Sequence, residues 1–179
     1  MTDTVNLIQS TALRMTERLD TLAHLLGTAK TQLASNREPL STLMTARIAD
    51  DMLPFPYQIV FACNQANDLA AWASAGERTP VEPASMSFDD LTQHVRETRE
   101  RLTSVQLQLG NDLLGAERRV DLPAGQFLRL TGAEFADGFL MPNFYFHIVT
   151  AYTLMRMIGL DVGKVDYMTH LVPFVESQT

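Results

Sequence analysis

His147 is the residue best placed to do chemistry. It stands inside Phe139-Leu140-Met141-Pro142-Asn143-Phe144-Tyr145-Phe146-His147-Ile148-Val149-Thr150-Ala151-Tyr152, which is apolar on almost every side. A helix that apolar is buried, and a buried imidazole must find a partner or stay neutral. Two roles are open to it. It is a metal ligand or general acid/base, or it is a neutral core histidine hydrogen-bonded to Gln58, Tyr57 or a backbone carbonyl. One good donor where a catalytic metal site wants three favours the second. Even then a partner is required, since an orphaned buried imidazole costs about 1–3 kcal/mol.

The polar groups that can share a pocket with His147 are Gln58, Asn143, Asp51, Tyr57 and Tyr152. Gln58 faces His147 across the bundle or faces solvent, depending on whether Tyr57 and Ile59 take the inward positions. Asn143 follows Pro142 and suits backbone groups freed by the proline. Asp51 assists only if the start of its helix folds toward His147, and near a helix start it also has an ordinary capping role. Phe139, Phe144, Tyr145, Phe146 and Tyr152 wall an apolar pocket, fill the core or face a second subunit; an all-round apolar helix in a small bundle suggests a homodimer. Cys63 lies among Ala62 and Ala66 and reads as a small core residue. His24, His94 and His170 have no second histidine at helical spacing, which argues against ligation. Arg156, near a helix end, suits the helix dipole.

Composition narrows the function classes. The chain has 179 residues, 46% apolar and 20% charged, as expected for one globular domain over 1–179. A net charge of −7 and a pI near 5.0 disfavour nucleic acid and anionic membrane as partners. A single cysteine excludes an internal disulfide and points to a reducing, cytoplasmic setting. The N-terminal Met1-Thr2-Asp3-Thr4-Val5 lacks a basic segment before an apolar one, so no signal peptide is expected. No apolar run reaches bilayer length.

Periodicity supplies the elements that would position these residues. Val5, Ile8, Ala12, Met15, Leu19, Leu22, Leu26, Ala29 and Leu33 alternate three- and four-residue steps, the mark of a first helix packed lengthwise in a bundle. Ser41 to Arg47 suits a short helix. Asp50, Asp51 and Pro54 to Pro56 suit the first turn of a second long helix, running to about Ala75. Ser87 and Asp90 are spaced as a capping box for a third, with Phe88, Leu91, Val95, Thr98, Leu102, Val105 and Leu109 inward. Residues 119–130 alternate with period two around Pro123-Ala124-Gly125, which predicts a β-hairpin. Thr131 and Glu134 form a second capping box for a fourth helix to about Ile158, stopped by Gly159. Pro142 kinks that helix or opens a second segment. The chain after Leu160 reads as mostly irregular, and from about residue 169 as an irregular tail. The fold class is all-α: a four-helix bundle with a short β-hairpin between helices three and four, in up-down packing with its one long connection there.

Three segments carry a resemblance to a known family. They are Thr45-Ala46-Arg47-Ile48-Ala49-Asp50-Asp51-Met52-Leu53-Pro54, the run from Leu140 through His147 to Arg156, and Gly159-Leu160-Asp161-Val162-Gly163-Lys164-Val165-Asp166-Tyr167. Over roughly residues 5–168 the chain resembles the DinB-like superfamily of damage-inducible four-helix bundles, and within it a family of unknown function. The resemblance implies metal-assisted transfer or hydrolysis. It also implies a divalent metal, zinc or nickel, on three histidines: one from the second helix and two, four residues apart, from the fourth. Here His147 fits one position. Ala151, Asn143 and Gln58 stand where further ligands would be, so the triad is incomplete. The rival reading is a small-ligand-binding or dimeric interaction module that has lost the metal.

Overall fold

The computed structural model describes residues 7–176. α1 (Leu7–Asn36) buries the whole expected stripe from Ile8 to Leu33; Val5 lies outside the described residues. The short helix α2 (Ser41–Met44) follows. α3 (Phe55–Ala73) opens with Pro54 as N-cap in extended backbone and Pro56 in the first turn, where a missing N–H is harmless. Asp50 and Asp51 therefore do not belong to its first turn. They lie in the bend before it, exposed, because the extended residue Pro54 resets the chain after them.

α4 (Phe88–Val105) begins with the expected box: Asp90 N donates to Ser87 Oγ at 3.2 Å and Ser87 N to Asp90 Oδ2 at 2.9 Å. The hairpin pairs β1 (Glu117–Asp121) with β2 (Phe127–Thr131), antiparallel, with Val120 opposite Leu128. The box at Thr131 and Glu134 is also present, but it opens a π-helical turn over Glu134–Leu140. α5 (Met141–Met157) then carries Pro142 in its first turn. Proline has no N–H to continue the ladder, and the wider turn absorbs it as the start of a new segment. Asn143 adds a donor beside it, from Nδ2 to the Phe139 carbonyl at 2.7 Å.

Gly159 ends α5 in the left-handed region (φ +88°), with Leu160 N returning to the Met155 carbonyl at 3.1 Å. The segment beyond is more regular than expected. It forms α6 (Lys164–Tyr167) and a 3-10 turn over Thr169–Phe174. Contacts with α1 order it: Gln32 brackets the Asp161 backbone at 2.8 Å from both amide ends, His24 meets Asp166 at 3.1 Å, and Thr21 meets Thr169 at 3.0 Å. The Arg18 guanidinium also contacts the His170 ring.

The helix directions follow from pairs of contacts. α1 is parallel to α5, since Arg14 reaches Asp137 and Gln32 reaches Asp161. It is antiparallel to α4, through Asp20–Arg99 and Lys30–Asp89. α3 is antiparallel to the π turn and α5, since Trp72 packs on Phe135 and Gln58 meets His147. α3 and α4 are thus parallel, with Asn67 holding Thr98 and Arg101. The bundle runs up-down-down-up, not up-down throughout. Its crossover is residues 74–87, between the second and third bundle helices. Arg78 pins that segment back along α3, donating to Asp68 at 2.8 Å and Asn64 at 3.2 Å, and Tyr57 meets Glu82 at 3.4 Å. In extended form the segment reaches roughly 45 Å, ample for the roughly 28 Å length of α3.

Gly132 joins the hairpin to the bundle. A Cβ there would lie 1.8 Å from the Leu113 carbonyl oxygen and 2.5 Å from the Trp72 ring, so only glycine lets the hairpin close. Gly132→Ala is expected to cost about 1–3 kcal/mol as an overpacking change, and to lower Tm by roughly 2–4 °C per kcal/mol. A thermal melt that leaves Tm unchanged would contradict this packing.

Candidate functional site

The antiparallel seam of α3 and α5 brings Gln58 and His147 together. Gln58 is 3% exposed, so it faces inward, and its amide must be satisfied at both ends. Phe55 N bonds the Ala46 carbonyl at 3.0 Å and closes the 46–55 loop, and the Leu53 carbonyl of that loop accepts from Gln58 Nε2 at 2.8 Å. That bond fixes the amide: Nε2 points at Leu53 and Oε1 points at the imidazole. His147 Nδ1 lies 2.9 Å from Oε1. A carbonyl oxygen only accepts, so Nδ1 carries the proton and Nε2 keeps its lone pair. Nε2 has no hydrogen-bond partner among the described residues, and the residue as a whole is half-buried.

Aromatic edges complete the setting. Phe61 and Phe146 meet the His147 ring at centroid distances of 5.3 Å and 5.2 Å, both T-shaped. Burial pushes the imidazole pKa down to about 4, and the neutral Gln58 offers no counter-charge to oppose it.

The other expected pocket residues are dispersed. Tyr57 is one ring removed, packing edge-on against Phe61 at 5.8 Å, while its hydroxyl goes to Glu82. Asn143 lies one turn from His147 on α5, with its amide nitrogen on Phe139. Asp51 is exposed, and the ring's hydrogen bond goes to Gln58 alone. Tyr152 is elsewhere: its hydroxyl donates to the Val162 carbonyl at 3.3 Å and its ring meets Tyr167. Five residues turn a helix by about 500°, which leaves Tyr152 roughly 140° around from His147. Two contributors were not anticipated. Phe61 sits one turn from Gln58 and was detectable by that spacing; the Leu53 carbonyl is backbone and leaves no trace in residue type.

These donors do not fit a divalent ion. Ala151 offers none, Gln58 uses both amide ends within the protein, and Asn143 is a neutral oxygen donor. Among the described residues no three His, Cys, Asp or Glu side chains are placed to hold a metal. Cys63 is buried in the core, its thiol pushed up to about 12 by burial despite a hydrogen bond with Thr98. His94 is half-buried, with Nε2 sealed and unpartnered among the described residues, and burial lowers its pKa.

Nitrogen NMR of the histidine rings is expected to show His147 neutral, in the Nδ1–H form, with protonation only near pH 4. The depressed pKa means that the unfolded chain binds the proton first. His147's contribution to stability is therefore full above about pH 6.5 and is lost as pH falls toward 4. Gln58→Glu should raise the His147 pKa, because a carboxylate favours the imidazolium. A wild-type ring titrating at 6.5 would contradict the burial described.

Comparison with known proteins agrees with this architecture. The domain of unknown function DUF1993 matches residues 7–168. The crystal structure of a DinB family member protein from Shewanella denitrificans is similar to this chain, with a TM-score of 0.76 at 25% sequence identity, covering 90% of this chain and 91% of that one. No curated protein matches. With nearly the whole bundle inside the matched region, the chain belongs to the DUF1993 family, on a DinB-like helical bundle.

Proposed function

We propose that this chain is a binding module that has lost the superfamily metal, and that it offers the lone pair of His147 Nε2 to a small ligand bearing a hydrogen-bond donor. One observation carries the reading: Gln58, anchored on the Leu53 carbonyl, holds the imidazole in the Nδ1–H form and leaves the Nε2 lone pair unclaimed among the described residues. Phe61 and Phe146 would supply the apolar contacts around it. Transfer or hydrolysis is less well supported. A base whose conjugate acid sits at about 4 is weak at neutral pH, and the donors around it do not suit an activating ion.

The outer face of α5 favours a second role beside the first, as a homodimer contact. Phe146, Val149 and Met157 are 55%, 46% and 52% exposed and lie along one side of the helix. Such a stripe fits an isologous contact with a second copy. A cytoplasmic setting is in keeping with the reduced, buried Cys63.

Untagged protein is expected to carry well under one equivalent of zinc, nickel or manganese by elemental analysis, with no shift in Tm on adding them. Near-stoichiometric metal that His147→Ala removes would overturn the metal-free reading. Light scattering after gel filtration is expected to give twice the monomer mass, returning to one in Phe146→Glu; a monomeric wild type would remove the dimer role.

A further inference from the structure

A cleft of about 300 Å³ opens between α5 and α6, lined by Val149, Tyr152, Lys164 and Tyr167. The geometry around His147 does not involve it, and it stands whether or not the His147 reading does. Its walls are mainly apolar: Val149 on one side, and the Tyr152 and Tyr167 rings meeting edge-on at 5.8 Å.

Two polar groups remain unused there. Lys164 is exposed, and its ammonium joins none of the ion pairs among the described residues. The Tyr167 hydroxyl has no hydrogen-bond partner among them either, whereas that of Tyr152 is taken by the Val162 carbonyl. The acid of the same turn, Asp166, is occupied toward α1, accepting from Gly163 N at 2.7 Å and meeting His24 at 3.1 Å. The cleft is thus a largely apolar slot, bordered by Lys164, which joins no ion pair among the described residues, and by Tyr167, whose hydroxyl also feels the Arg18 charge.

We propose that this cleft binds a small carboxylate with a compact apolar body, either a single aromatic ring or a short alkyl chain. The body packs on Val149, Tyr152 and Tyr167. The carboxylate accepts from Lys164 Nζ and the Tyr167 hydroxyl, the first of these charge-assisted. Size supports one ring and no more, because small-molecule sites span roughly 300–1,000 Å³ and this one is at the lower limit. The chain's net charge of −7 does not forbid an anion here. Screening over about 8 Å at physiological ionic strength leaves the local Lys164 charge in control.

The test is an NMR titration of the full chain with sodium benzoate, sodium hexanoate and the uncharged control benzamide. At least one carboxylate is expected to shift the resonances of Val149, Tyr152, Lys164 and Tyr167 saturably, with an affinity on the order of millimolar. Lys164→Gln, an exposed change, should weaken that binding about ten-fold, the worth of one charge-assisted hydrogen bond, and should erase the preference over benzamide. Val149→Trp, introduced beside Phe146→Glu so that both proteins compared are monomeric, fills the cleft and should abolish binding relative to Phe146→Glu alone. His147 resonances should not move. Non-saturating shifts with both carboxylates, equal binding of benzamide, or full affinity in Lys164→Gln would overturn the proposal. Dilution-dependent shifts at Tyr152, Lys164 and Tyr167 without ligand would also overturn it, since a second copy would then cover the cleft beyond the Val149 edge that it shares with the proposed dimer contact.

Discussion

Gln58 is buried between α3 and α5, and both ends of its amide need hydrogen bonds. Nε2 finds the Leu53 carbonyl, which ties the 46–55 loop to the first turn of α3. Oε1 finds His147, which ties α3 to α5. Leaving either end unpaired in a dry seam would cost about 1–3 kcal/mol, so one side chain sets the loop, the helix register and the imidazole tautomer together. The antiparallel run of α3 past α5, from Gln58–His147 to Trp72–Phe135, places the other candidate residues on these helices relative to this pair.

The parallel arrangement of α3 and α4 has its own physical cause. Residues 74–87 are long enough to return along α3, and Arg78 and Tyr57 hold them there. Once α4 starts beside the beginning of α3, the last stretch of the bundle must come back up, with the hairpin and the π turn between. Gly132 is where that return presses on Trp72 and the Leu113 backbone. α5 then lies parallel to α1, and the segment after Gly159 can dock on α1 through Gln32, His24, Thr21 and Arg18. The cleft at Lys164 and Tyr167 exists because that docking holds α6 beside Tyr152 of α5.

Much of this was readable from residue order. The stripe from Ile8 to Leu33, the capping pairs Ser87–Asp90 and Thr131–Glu134, the hairpin and the stop at Gly159 are local, and each depends on residues within a few positions of one another. Helix directions are not local. A fourteen-residue connection is compatible with a direct turn or with a full return, and only sets of long-range pairs, Asp20–Arg99 with Lys30–Asp89 and Gln58–His147 with Trp72–Phe135 among them, choose between them. The Asp50–Asp51 pair misled for a similar reason: acids before a proline look like a first turn until Pro54 takes up extended backbone. The tail looked irregular because its order comes from contacts with α1, more than a hundred residues away in sequence.

For the site, residue type and apolar context were enough to single out His147 and to nominate Gln58, and the absence of basic donors at Asn143 and Ala151 was visible in the sequence. What only the tertiary structure decided is which of the nominated groups meet. Tyr152 shares a helix with His147 yet points to another cleft, because helical phase separates positions five apart. The partner that orients Gln58 is a backbone carbonyl, identical at every residue, and so invisible until the chain has folded around it.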